Sequence, residues 1–357
     1  MRESIVDKVN FGEKFLVVSV NWLGDCVMSL PIFKAIKDKF PGAFLAVMTT
    51  PRVKELFENI AYIDEVIEFD ERTKNRSFFA KIRFIKELRK RRFDVAFFLH
   101  RSFTRILICA LSGIKKRIGY KRKKTSFLLT IKITPPQKDS LHRADYYFYL
   151  FEKVQIPVKD RIPHLAIKEK EENKIHRFFV EHKKRYSYTV AINPSSNWNL
   201  KSWPIDYFVE LIKEMISQKI CVLLIGTKKE ERIANEIVKK VGLKDLFSFC
   251  GKTTLKELLI ILKGVDMLIS SDSGPAHLSS AVGTSTVVLF GPTSPYITAP
   301  KGDKVVIIRK DIGCRIPCYK LDCRDNRCMK EITPQLVWSI IKPILYGKSQ
   351  ICYKEEG

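Results

Sequence analysis

The chain has 357 residues, 45% of them apolar, and a formal net charge of +25. That length suits two globular domains of roughly 150–180 residues and excludes a disordered tail. No stretch approaches the roughly 20 uncharged apolar residues of a membrane span. The opening "MRESIVDKVNFGEK" is charged throughout and has no apolar leader core, so the cytoplasm is the expected compartment.

In chain order, "KFLVVSV" (14–20) reads as a buried strand, followed by a turn and a helical run that ends at Pro41-Gly42. "FLAVMTT" (44–50), "DEVIEF" (64–69) and "DVAFFL" (94–99) continue the strands, with a basic helix over 78–92 and an amphipathic one over 141–154. This order predicts a parallel, doubly wound α/β sheet. The second half repeats it with strands at 188–193, 220–226, 266–271 and 285–290, and with helices near 204–218, 229–241, 254–263 and 275–282. Pro157, Pro163 and the Lys/Glu-rich sequence around them place a linker near 155–170. The expectation is therefore two Rossmann-like domains, 1–160 and 161–332, with a cleft between them. Residues 333–357 are expected to supply a closing helix that packs back on the first domain.

The charge gathers in "KELRKRRF" (86–93), "KKRIGYKRKK" (115–124) and "HKKRY" (182–186). None of these belongs to a nucleic-acid-binding motif, and aromatic residues are thinly interleaved. A phosphorylated substrate or an anionic membrane surface remains as the partner such a surface attracts. Of nine cysteines, Cys26, Cys109, Cys221 and Cys250 fall in apolar surroundings, whereas Cys314, Cys318, Cys323 and Cys328 cluster. Their spacings lie in the zinc range pairwise, but the two pairs stand closer than in most zinc modules, so reduced structural thiols and no metal are expected.

In open α/β sheets ligands sit beyond the carboxyl ends of the strands, and three loops there carry chemistry. "VNWLGDCVMSLP" (20–31) has Gly24 for a tight turn and close ligand approach, then Asp25 at a helix start. Asp25 is read either as a helix cap or as a base. "INPSSNWNLKSWP" (192–204) offers the Ser195 hydroxyl and Lys201, a cation able to neutralise a leaving phosphate. "SDSGPAHLSSAVGTSTVVLFGPTSP" (271–295) gives a turn at Asp272-Ser273-Gly274 and a short helix bearing His277 in its first turn. Helix-start amides there suit an anion. The following strand ends in Gly291-Pro292-Thr293, which repeats the device.

"LGDCVMSLP", "NPSSNWNLKSWP" and "SDSGPAHLSSAVGTSTVVLFGPTSP" resemble the signature blocks of the lipopolysaccharide heptosyltransferases, glycosyltransferase family 9, within the GT-B fold. The Cys-rich 314–337 stretch resembles the ending of type II and III members. The resemblance implies metal-independent, inverting transfer of L-glycero-D-manno-heptose from ADP-heptose to the lipopolysaccharide core, of Kdo-lipid A type, without a cofactor. It implies Asp25 as general base, with Lys201, Asp272, Ser273, Gly274 and His277 on the donor diphosphate and Arg117 on the acceptor side. Ser195, Gly291 and Thr293 join the donor set, and Glu230 is the acidic residue offered near the ribose. Gly24, Lys121 and Arg122 join the acceptor set, the two cations beside an anionic inner-membrane leaflet. Ser294 departs from the Asp usual in the family's last block. The alternatives are a GT-B enzyme or epimerase using another nucleotide sugar, a basic nucleic-acid-binding protein, and an inert carbohydrate-binding relative.

Overall fold

The computed structural model describes residues 12–166, 174–183, 185–196, 198–318, 320 and 322–347. Residues 1–11 of the stretch read for a leader, 167–170 of the expected linker and 348–357 of the closing segment lie outside the described residues. Contacts divide the chain into two compact units, Met1–Ile162 and Pro163–Gly357.

The first unit carries β1 (Lys14–Val18), β2 (Phe44–Thr49), β3 (Glu65–Glu68), β4 (Val95–Phe98), β5 (Lys116–Tyr120) and β6 (Ile131–Ile133). They form one sheet in the order β3-β2-β1-β4-β5-β6, every pair parallel. The central strands are apolar on both faces because helices cover both sides; Leu16, Val17, Val47, Ala96 and Phe97 are all fully buried. The helix Leu23–Lys39 buries nearly every residue from Cys26 to Ile36. It packs against the helix Arg143–Glu152, whose Phe151 stacks on Phe97 at 4.5 Å between ring centroids. Each such buried aromatic contributes about 1.5–3 kcal/mol of transfer free energy.

The second unit carries β7 (Tyr188–Asn193), β8 (Ile220–Leu224), β9 (Leu246–Ser248), β10 (Met267–Ser271), β11 (Ser285–Leu289) and β12 (Val305–Ile308). Their order is β12-β11-β10-β7-β8-β9, again all parallel. Numbered from its own first strand, this is the order of the first sheet. Each sheet reverses direction between its first and fourth strands, β1/β4 and β7/β10, and in each all carboxyl ends share one edge. The turn of each crevice is where such sheets bind ligands.

The basic stretch "KKRIGYKRKK" holds a strand. Its Ile118, Gly119 and Tyr120 are buried in β5, behind a pair of basic residues that hides the strand pattern. The closing helix is Pro334–Leu345. Val337, Ile341 and Leu345 lie in the core of the second unit, against the helix Ile205–Ser217. The Trp203 indole N–H bonds the Ile332 carbonyl at 2.7 Å and ties the helix's approach to that core.

Candidate active site

In the first unit, β1 ends at Val18 and the chain turns through Ser19, Val20 and Asn21 into the helix Leu23–Lys39. Trp22 holds the N-cap position in extended conformation and offers no capping side chain. Gly24 is therefore the second residue of a helix, not the pivot of a tight turn, and it takes no positive φ. Asp25 lies in the first helical turn, where the macrodipole favours a carboxylate. It stands two residues inside the helix and not at the N-cap position. Its Oδ1 accepts the Tyr147 hydroxyl at 2.8 Å. Tyr147 comes from the helix Arg143–Glu152 and is buried. Burial first, then the adjacent Asp25 charge, push its phenol well above the ordinary tyrosine range. The bond is thus a neutral donor on a carboxylate.

Across the β1/β4 crevice stands His100, two residues past β4. The Ser102 backbone N–H donates to its Nδ1 at 3.0 Å. The ring proton of the neutral imidazole then belongs on Nε2, which lies 2.9 Å from the Asn21 side-chain amide. The atom placed there is Asn21 Nδ2, so a protonated Nε2 calls for the amide turned over, with its oxygen accepting. Burial, with help from Arg105 and Arg101, lowers the His100 pKa to about 4. Beside it lies a small cavity lined by His100, Arg101, Arg122, Thr125 and Tyr146. The Arg122 guanidinium donates to the Tyr146 hydroxyl at 3.1 Å, so Arg122 faces this basic recess. Lys121 is exposed beside it.

Arg117, expected on the acceptor side, is engaged elsewhere. Its guanidinium donates to the carbonyls of Leu128 at 2.6 Å and Ile114 at 2.5 Å, near the amino end of β5. That is the edge away from Asp25. Arg117 fastens backbone where the sequence suggested recognition.

In the second unit the equivalent crevice, β7/β10, is bridged by charge. Lys201 closes the short turn Asn199–Lys201 after β7, and its ammonium donates to Asp272 Oδ2 at 2.7 Å. The same oxygen accepts Thr293 Oγ1 at 2.8 Å and Thr298 Oγ1 at 3.2 Å. Asp272 is only 7% exposed. It therefore acts as a hub that orients a cation and two hydroxyls, and is not itself a group that meets phosphate. The helix Gly274–Ala281 follows, with Pro275 in its first turn and Ser273 at the N-cap. Ser273 makes no capping bond; its hydroxyl pairs with that of Ser270 at 2.7 Å. Ser273 thus leaves the first-turn amides to other partners, and those amides carry the positive end of the helix. His277 is buried in that turn. Asn193 Oδ1, Ser271 Oγ and Trp198 Nε1 are buried nearby in sequence without hydrogen-bond partners.

Ser195, in the loop after β7, bonds its hydroxyl to the Ser196 carbonyl at 3.3 Å. Two other expected donor residues have local duties. The Glu230 carboxylate accepts the Thr227 amide and hydroxyl at 2.7 and 2.6 Å, closing its own turn. Gly291 is needed for packing: a β-carbon there would stand 2.5 Å from Met329 Sδ and 3.1 Å from Cys328 Sγ. Tyr147 and His100 were not singled out from sequence, because each sits far along the chain from the loop it serves. Only the fold pairs them.

Residues 81–328 match the family model for glycosyltransferase family 9 (heptosyltransferase). The lipooligosaccharide heptosyltransferase 2 of Haemophilus influenzae is 27% identical over 92% of this chain and 99% of its own length. The structure of an Escherichia coli ADP-heptose heptosyltransferase II superposes with a TM-score of 0.77 at 23% identity, covering 94% of this chain and 99% of that one. An E. coli heptosyltransferase solved with ADP superposes at 0.68 and 17% identity, covering 92% and 99%. The fold is thus of the GT-B type. With twin parallel sheets, a carboxylate at one crevice and an anion-seeking helix start at the other, the chain belongs to glycosyltransferase family 9, the heptosyltransferases, and is a glycosyltransferase.

Proposed function

We propose that the protein transfers L-glycero-D-manno-heptose from ADP-heptose to the inner core of lipopolysaccharide in one inverting displacement. An acceptor hydroxyl attacks the anomeric carbon opposite the departing ADP, through an oxocarbenium-like transition state. Asp25 takes the hydroxyl proton as general base. Tyr147 aims the carboxylate without replacing its charge by a salt bridge. The amides of Gly274, Ala276 and His277, the His277 ring and the Lys201 ammonium stabilise the diphosphate as charge develops on it. Ser195 and Thr293 lie on the loops that border the same crevice, and Asp272 holds Lys201 and Thr293 in position. Arg122, Arg101 and Lys121 offer the anionic acceptor its counter-charges. The observation that carries this reading is the Tyr147–Asp25 bond in the first helical turn after β1.

The lipid end of the acceptor has a matching surface. Phe78, Phe79, Phe103 and Phe127 are 72%, 80%, 44% and 71% exposed. All follow the carboxyl ends of β3, β4 or β5, the sheet edge that also carries Asp25, and Lys121, Lys123 and Lys124 stand among them. Exposed aromatics within a basic field fit peripheral contact with an anionic leaflet at its cytoplasmic face. No helix among the described residues is long and apolar enough to cross a membrane.

The test is incubation of the protein with ADP-heptose, or with UDP-sugars, and a truncated lipopolysaccharide core, following nucleotide release. ADP release that requires both ADP-heptose and the core is expected. Turnover confined to a UDP-sugar, or independent of a lipid acceptor, would overturn the assignment.

A further inference from the structure

The helix Leu23–Lys39 begins against the usual chemistry of helix starts. N-cap positions favour Ser, Thr, Asp or Asn, whose short side chains accept a first-turn amide. Here the position is held by Trp22, which makes no capping bond. The same residue breaks a second rule. Trp is large and mostly apolar and gains from burial, yet Trp22 is 55% exposed. Where two local rules fail at one residue, function is the expected reason.

Trp22 is half of a pair. The guanidinium carbon of Arg52 lies over the Trp22 ring, 5.1 Å from its centroid. Arg52 stands in the short turn Pro51–Val53, just past the carboxyl end of β2. It is exposed, and no carboxylate lies within ion-pair reach of it among the described residues. Stacking on an indole fixes the plane of a guanidinium and leaves its in-plane N–H donors free for a bidentate anion.

Both residues border Asp25. N-cap and N3 are the positions whose side chains meet over a helix start in a capping box, and Trp22 and Asp25 occupy that pair. Burial chiefly raises the Cys26 thiol, Asp25 raises it further, and Arg105 and Arg52 oppose them. Arg52 is thus near enough to the helix start for its charge to be felt there. In the sheet, β2 and β4 flank β1 on opposite sides. Arg52 follows the first and Arg101 the second, so cations stand on both sides of the Asp25 turn.

We propose that Trp22 and Arg52 form a binding subsite for an anionic pyranose of the acceptor, the indole packing against the sugar ring and the guanidinium pairing with a carboxylate or phosphate on it. This rests on the reading of Asp25 as the base that receives an acceptor hydroxyl proton. The C–H bonds on one face of a pyranose carry slight positive charge and lie well on the electron-rich face of an aromatic ring. Arg52 takes one face of the indole and the sugar the other. The sugar hydroxyls stay at the rim, and a ring held there presents one of them towards Asp25, the arrangement that general-base transfer needs.

The experiment uses the full chain with ADP-heptose and a truncated lipopolysaccharide core, following ADP release at varied core concentration. Trp22→Ala and Arg52→Ala should each raise the KM for the core by about tenfold and leave the KM for ADP-heptose unchanged. Trp22→Phe keeps a ring and Arg52→Lys keeps a charge, so each should recover part of the loss. Two altered cores find the anion, one with its carboxyl groups reduced and one with its phosphates removed by hydrofluoric acid. One of them should show a KM about tenfold higher with the wild-type chain, and on that core Arg52→Ala should cost nothing more. An unchanged core KM in both alanine variants, an equal rise in the donor KM, or an Arg52→Ala effect that survives on both altered cores would overturn the subsite while wild-type transfer leaves the reading of function standing. A wild-type chain that releases no ADP with the intact core overturns that reading and the subsite with it.

Discussion

The two crevices share a topology and differ in what bridges them. At β1/β4 the bridge is neutral: the Asn21 amide against the His100 imidazole. At β7/β10 it is ionic: Lys201 on a buried Asp272 that also collects two threonine hydroxyls. The aspartates divide in the same way. Asp272 is tied to an ammonium and two hydroxyls, whereas Asp25 accepts from a phenol whose pKa burial holds well above the ordinary range. In the function proposed above, one framework supports a proton acceptor at one switch point and an anion cradle at the other, and the difference lies in the partner given to each carboxylate.

The comparison breaks most visibly at Asp25. Asp25→Asn should slow transfer by about 10²–10⁴-fold, the range of a lost general base, while calorimetry shows ADP binding nearly unchanged. Full activity in that variant would remove Asp25 from the chemistry.

The ionic bridge comes next. Lys201→Ala strands a carboxylate that is 7% exposed, beside a lysine that is itself 21% exposed. Urea titration should show a loss of about 2–3 kcal/mol, below the full penalty of a wholly buried pair, together with weaker ADP affinity. Asn21→Ala, which breaks the neutral bridge, should cost only about 0.5–1.5 kcal/mol. Equal losses would erase the distinction between the crevices.

Tyr147→Phe should lower kcat by about tenfold and leave the donor KM in place, since the hydroxyl orients Asp25 and touches no donor-binding residue. A change in KM alone, or in melting temperature without any change in kcat, would make Tyr147 a packing residue.

A pH dependence belongs to His100. Its folded-state pKa is about 4 against 6.5 for an unperturbed imidazole. Between those values the unfolded chain holds the extra proton, so this group's contribution to stability is complete above about pH 6.5 and fades as pH falls towards 4. Proton NMR of the ring should show a midpoint near 4; one near 6.5 would mean the imidazole is not shielded.

Most of the sheet grammar was legible, because central strands buried on both faces announce themselves as apolar runs such as "KFLVV" and "ICVLL". The strands missed were β5, whose opening Lys116-Arg117 reads as surface, and β6, β9 and β12, short strands at sheet edges. Asp25, Lys201, Asp272 and His277 could be singled out because each follows within a few residues of a strand that reads as an apolar run. Tyr147 and His100 were not, since their partners are 122 and 79 residues away. Arg117 misled because a guanidinium anchored to backbone carbonyls looks, in sequence, like one offered to a ligand.

Gly291 sits where the end of β11 meets Met329 and Cys328 with no room for even one methyl group. Growth at that position is a mechanical wedge: alanine must push aside the Met329 thioether and the Cys328 sulfur, so its cost reads how much slack those two side chains have.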